Sequence, residues 1–98
     1  MKKEEIIKEL KRKFFMSKLK IKLSENLNVD SILSSISDKY SKYNPILIDG
    51  VFIEFDSSWV HLRKSNTEPI IRIFTESKSK EEADELANQF YDLVKTFN

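Results

Sequence analysis

Cysteine is absent from this 98-residue chain, and glycine, histidine and tryptophan occur once each. Without cysteine there is no disulfide framework, no thiol nucleophile and no zinc–thiolate site. A single histidine leaves a Ser-His-Asp triad one candidate base and rules out a metal site built from several imidazoles. With one glycine, two prolines and 11% aromatic residues, the composition is that of a folded chain. No uninterrupted apolar run exceeds three residues (Val51-Phe52-Ile53 is one). That excludes a transmembrane helix and a signal-peptide core, and a soluble, cytoplasmic protein is expected. The length suits one small domain and is too short for a Rossmann-type enzyme with separate cofactor and substrate domains.

Charge, by contrast, is abundant: 34% of residues carry it, and the formal net charge is only +1. The near-cancellation hides an asymmetry. Residues 1–22 hold nine Lys/Arg against three Asp/Glu, whereas residues 23–98 hold eight against thirteen. A basic start of this kind fits a nucleic-acid or membrane arm. More commonly it is an ordinary solvated helix face or a linker.

The apolar periodicity sets out the elements. Lys3 to about Phe14 reads as a helix with Ile6, Ile7, Leu10 and Phe14 on one stripe. Leu19, Ile21 and Leu23 then alternate with Lys18, Lys20 and Lys22, the pattern of a half-buried strand with lysines outward. Asn28 is a helix N-cap, and Val29, Ile32, Leu33, Ile36, Tyr40 and Tyr43 follow a 3.6-residue period until Asn44-Pro45. Asp49-Gly50 is a turn signal. Strands are expected over Val51–Phe55, Trp59–Arg63 and Ile70–Glu76, with a turn at Asp56-Ser57-Ser58. Ser79 with Glu82 forms a capping box for a last helix buried through Ala83, Leu86, Ala87, Phe90, Val94 and Phe97. Short connections pair successive strands antiparallel, and two amphipathic helices can cover one sheet face. The expected fold is therefore an α+β two-layer domain, in the order β-α-β(3–4)-α, preceded by an N-terminal linker helix.

One segment carries chemistry: Arg63-Lys64-Ser65-Asn66-Thr67-Glu68-Pro69, between the last two strands. A strand-end arginine presents a planar fork of donors that matches two oxygens of a phosphate or carboxylate. Ser65 and Thr67 add hydroxyls, Asn66 adds an amide, and successive backbone N–H groups of a tight loop can line an anion-binding hollow. The same residues also build an ordinary turn. His61 and Trp59 share the strand face of Arg63; they read as a sheet-face histidine and a packing ring. Glu54 and Asp56 read as a solvated strand end, and no metal-binding spacing occurs.

The run Asp49–Phe55, then Trp59–Pro69 with its R-x-S-N-T-E-P string, then Ile71–Glu76, closely resembles the C-terminal domain of the α-D-phosphohexomutases. That family comprises the phosphomannomutases, phosphoglucomutases and phosphoglucosamine mutases. Glu9-Leu10 to Phe14-Phe15 and Lys20-Ile21 look like the family's interdomain segment, and Ser79–Lys95 looks like its closing helix. The resemblance divides the chain into a helical linker segment, 1–17, and the C-terminal domain, 18–98. It implies a fold similar to half of the TATA-binding protein, a sheet of four or five antiparallel strands with two helices on one face.

It also implies a function. The family's loop clamps the non-reacting phosphate of a hexose phosphate, while a phosphoserine in another domain performs intramolecular phosphoryl transfer. Arg63, Ser65, Asn66 and Thr67 match the phosphate ligands. Among supporting residues, Glu68 is expected to order the loop and Arg72 to form an ion pair. Lys64 stands where the family usually has Pro or Ala, and either adds charge to the site or points to solvent. The phosphorylatable serine loop, the Mg2+ loop and the sugar-reading loop of the family have no counterpart here. The resemblance therefore implies no catalytic residue and no cofactor in this chain, with Mg2+ belonging to other domains, and no activity in isolation. The partners it implies are a hexose phosphate or phosphate anion, and catalytic mutase domains supplied in cis or in trans. No membrane partner is expected. An alternative is a standalone module whose basic first helix and Lys18, Lys20 and Lys22 bind nucleic acid or another anionic surface. The acidic balance of residues 23–98 argues against nucleic acid.

Overall fold

A computed structural model describes residues 14–97. Strand β1 (Phe15–Lys22) leads to helix α1 (Val29–Lys39) and a 3-10 turn at Ser41–Tyr43. Strands β2 (Val51–Glu54), β3 (Trp59–Lys64) and β4 (Ile70–Ser77) follow, and helix α2 (Lys80–Lys95) ends the described chain. The expected α+β architecture is present, with a four-stranded antiparallel sheet in the order β1-β4-β3-β2. The helix expected over Lys3 to about Phe14 lies outside the described residues except at Phe14, which is not helical. β1 opens at Phe15, three residues before the lysine alternation, and pairs with β4 from Phe15↔Ser77 to Lys22↔Ile70.

Period two places Ile21 of β1, Val51 and Ile53 of β2, Val60 and Leu62 of β3, and Ile71 and Ile73 of β4 on one buried face. Ile32, Leu33 and Ile36 of α1 and Ala87, Phe90 and Val94 of α2 pack into the same core. Both helices thus cover one face. Each large side chain fully buried here contributes about 1.5–3 kcal/mol. Among the described residues the other face carries no helix, and it presents Lys18, Lys20 and Lys22 outward, as the alternation predicts.

Local chemistry sets the helix ends. The Asn28 side chain accepts from the Ser31 amide at 3.1 Å. α1 stops before its periodic stripe does: Tyr40 and Tyr43 lie beyond it, and Asn44 takes the left-handed conformation (φ 54°) that closes the 3-10 turn. The tyrosine rings still pack, against Phe90 and Phe55. At α2 only half of the capping box forms. Ser79 Oγ accepts from the Glu82 amide at 3.0 Å, but the Glu82 carboxylate accepts from the Ser77 hydroxyl at 2.9 Å. Thr75, fully buried, donates to the Ala83 carbonyl at 2.8 Å. These two bonds fasten the end of β4 to the first turn of α2.

Candidate functional site

β3 and β4 are joined by residues 65–69, and backbone bonds pin the loop at its base. The Ser65 amide donates to the Ile70 carbonyl (3.0 Å), the Ile70 amide to Glu68 (2.8 Å), and the Leu23 amide to Pro69 (2.7 Å). At Glu68 only the backbone carbonyl takes part in these bonds, while the carboxylate has no partner among the described residues. At the tip, Ser65 Oγ lies 3.4 Å from both the Thr67 amide and the Thr67 hydroxyl. Contacts of that length are weak and easily given up to a better acceptor. The Asn66 amide has no hydrogen-bond partner among the described residues. Ser65, Asn66 and Thr67 thus gather hydroxyl and N–H donors at one exposed turn.

Arg63 is exposed near the end of β3 and makes no ion pair among the described residues. With Lys64 and Asn66 it lines a pocket of about 170 Å3, whose other walls are Asp30, Leu33, Asp49 and Gly50. Lys64 neither adds free charge nor points away. Its Nζ contacts both Asp30 carboxylate oxygens, at 2.9 and 3.2 Å, and so ties the loop to the first turn of α1. Arg72 is the cross-strand partner of Arg63, and the ion pair expected for it does not form among the described residues. Glu68 lies to one side, in a depression of about 410 Å3 with Lys20, Lys22, Glu25, Pro69 and Ile70.

Two contacts were not foreseen from the residues. The lone histidine holds a loop: His61 Nε2–H donates to the Ile48 carbonyl at 3.0 Å, and its ring meets Phe52 edge-on. Gly50 is more than a turn residue. Its φ is 122°, and a Cβ there would stand 2.0 Å from the Leu62 carbonyl oxygen. Only glycine lets the Asp49-Gly50 turn lie flat against the backbone leading into Arg63. The Asp-Gly dipeptide was the visible signal for it.

At the opposite end of the sheet, Glu54, Asp56, Trp59, Glu76 and Lys78 line a hollow of about 470 Å3. Among the described residues no cluster of three or more His, Asp or Glu side chains is arranged to hold a metal ion. None of their helices is long and apolar enough to cross a membrane.

An antiparallel sheet backed by two helices, with an arginine-headed polar loop between two of its strands, defines a small α+β domain. The chain belongs to the family described as "Phosphoglucomutase/phosphomannomutase, C-terminal domain", whose pattern matches residues 18–93. The expected family membership is therefore shown. A phosphoglucosamine/phosphogalactosamine mutase of Sulfurisphaera tokodaii is 39% identical over 84 residues, which is 84% of this chain and 18% of that protein. A phosphoglucosamine mutase of Methanococcus maripaludis is 34% identical over 79 residues, 79% of this chain and 18% of the relative. A phosphoglucomutase/phosphomannomutase of Thermococcus kodakarensis reaches 62% over 37 residues, 38% of this chain and 8% of the relative. The matched segments thus span less than a fifth of these relatives.

Proposed function

We propose that this chain is the phosphate-gripping domain of a phosphohexomutase-type enzyme, holding the non-reacting phosphate of a hexose phosphate while other domains move the phosphoryl group. The observation that carries this reading is Arg63: an exposed guanidinium without a carboxylate partner among the described residues, beside the Ser65–Thr67 turn. The ligands are Arg63, Ser65 and Thr67 through side-chain donors, and Asn66 through its amides. Lys64 acts indirectly, by neutralising Asp30 at the edge of the pocket. Such a clamp reads charge and leaves the sugar ring unread. Binding of a spectator phosphate stabilises ground and transition states alike. Its kinetic value is orientation: a sugar held by one end presents its other end to the reacting groups at high effective concentration. The segment preceding β1 serves as the connection to those groups, which partner this domain in cis or in trans.

Fusion with a truncated relative tests the proposal. The Sulfurisphaera tokodaii mutase lacking its matched segment should regain activity when this chain is fused in its place, and should not with Arg63→Ala. Activity of this chain alone, no rescue by the wild-type fusion, or rescue indifferent to Arg63→Ala would each contradict it.

A further inference from the structure

Strand register sorts the sheet face turned away from the helices into three rows that run across the strands. Lys20, Arg72 and Arg63 form the row at the loop end. Lys18, Phe74, His61 and Phe52 form the middle row. Met16, Glu76, Trp59 and Glu54 form the row at the opposite end. Opposite charges placed side by side on neighbouring strands stabilise a sheet. Here each outer row holds charges of one sign, and none of Arg63, Arg72, Glu54 and Glu76 has an ion-pair partner among the described residues. A face needing only solubility mixes its signs. The ground between the charges is largely apolar. The Phe52 ring lies 5.5 Å from that of Trp59 and meets His61 edge-on, Phe74 is half-buried, and Met16 is 44% exposed. No helix among the described residues covers these side chains.

We propose that this face is a self-association surface, and that its partner is a second copy of the same chain, related by a two-fold axis along the middle row. A face patterned cationic, apolar, anionic is its own complement under that rotation, because the axis exchanges the outer rows and keeps each strand opposite itself. Glu76 then faces the second copy's Arg72, and Arg72 faces its Glu76. Trp59 faces the second copy's Arg63, guanidinium over indole. The middle row meets itself ring against ring, with the exposed Lys18 at the rim. Sheets packed face to face lie about 10 Å apart with strands crossing at roughly 30°. One row from the axis, at about 7 Å, that crossing displaces facing residues by about 3.5 Å, within reach of glutamate and arginine side chains. A purely apolar partner would instead bury both charged rows without counter-charges. The three rows cover about 400 Å2 per copy, taking about 4.8 Å per strand and about 6.8 Å per row. That is half the ~800 Å2 of a standard interface, so the dimer is weak, with a dissociation constant of ~0.1–1 mM. The pairing uses Arg63 and Arg72 only as cations and stands independently of the phosphate-gripping reading. A phosphate on Arg63 and a second copy exclude one another, so the dimer is the anion-free form.

Sedimentation velocity and amide NMR in phosphate-free, low-salt buffer test this over chain concentrations of about 20 μM to about 2 mM. The wild-type chain should pass from monomer to dimer, with amide shifts at Trp59, His61, Phe74 and Glu76 moving together. Salt at about 0.5 M should weaken the association several-fold. Arg72→Glu and Glu76→Arg should each weaken it about tenfold or more, because each sets like charges across the axis twice. An equal mixture of the two variants should associate at least as tightly as wild type, because the hybrid dimer again carries two opposite-charge pairs. A wild-type chain that stays monomeric throughout, concentration-dependent shifts confined to the helices, or a mixture no tighter than its separate variants would each overturn the proposal. The first two outcomes need no variant, so they decide the matter even where a substitution prevents folding.

Discussion

Replacing Gly50 with alanine tests the link between fold and site. The glycine has φ 122°, and an added Cβ would lie 2.0 Å from the Leu62 carbonyl oxygen, 3.0 Å from its carbon and 3.1 Å from Arg63 Cα. All three are backbone atoms of a central strand, so no side-chain rotation relieves the clash. The backbone conformation alone costs a side-chain-bearing residue about 1–3 kcal/mol. Displacing β2 from β3 adds to that, because the Ile46–Phe52 bridge and the His61–Ile48 bond hang on the same turn. A loss of about 3 kcal/mol in unfolding free energy is expected. For a domain of this size it corresponds to a fall in Tm of roughly 12–24 °C. Circular-dichroism melts measure it, and amide shifts should move at Leu62 and Arg63 in the folded fraction. A loss under about 1 kcal/mol would refute the reasoning, since it would mean that the turn does not press on β3. Asp49→Gly is the matched control: Asp49 sits at φ 50°, so glycine there should be neutral or stabilise by up to about 1 kcal/mol.

Other perturbations follow from single contacts. Thr75→Val keeps the buried shape and deletes the bond to the Ala83 carbonyl, and should cost about 1 kcal/mol by denaturant titration. Asp30→Asn releases Lys64 and removes a negative charge from the pocket, so phosphate binding followed by NMR should strengthen a few-fold at low salt, while Tm changes little because the pair is exposed. Asp84 is held below the ordinary carboxylate pKa first by its hydrogen bond to Lys80 and then by one to Ser17. A depressed folded-state pKa stabilises above the unfolded value of about 3.8 and is lost as pH falls through the lower folded value. The Tm difference between wild type and Asp84→Asn should therefore be present at neutral pH and shrink at strongly acidic pH.

Much of the fold was legible because local chemistry and burial agree. In α2, Ala83, Ala87, Phe90 and Val94 are buried at the positions that the 3.6-residue period marks, and Ser79 caps the helix. In β3, Val60 and Leu62 are buried between outward Trp59, His61 and Arg63. Legibility failed where a side chain had a choice of partners distant in sequence or space. The Glu82 carboxylate could accept from the Ser79 backbone amide or from the Ser77 hydroxyl and took the hydroxyl, so the capping box closed only halfway. Lys64 found Asp30 across 34 residues, a pairing that no spacing rule predicts. Arg72 was expected in an ion pair, but register set it between Lys20 and Arg63. The 40–44 segment showed another limit. Apolar periodicity continued through Tyr43, and the left-handed Asn44 turned the chain away while leaving both tyrosines packed against the core side.

The central claim, that the loop headed by Arg63 grips the phosphate of a sugar phosphate, is tested most directly by titrating the isotope-labelled chain with glucose 1-phosphate. Amide shifts should cluster at Arg63, Lys64, Ser65, Asn66 and Thr67, with a dissociation constant in the ~mM range, because one open loop lacks the contacts of a closed cleft. They should vanish in Arg63→Ala. Shifts centred on the Glu54–Trp59 end of the sheet, or binding that survives Arg63→Ala, would contradict the account.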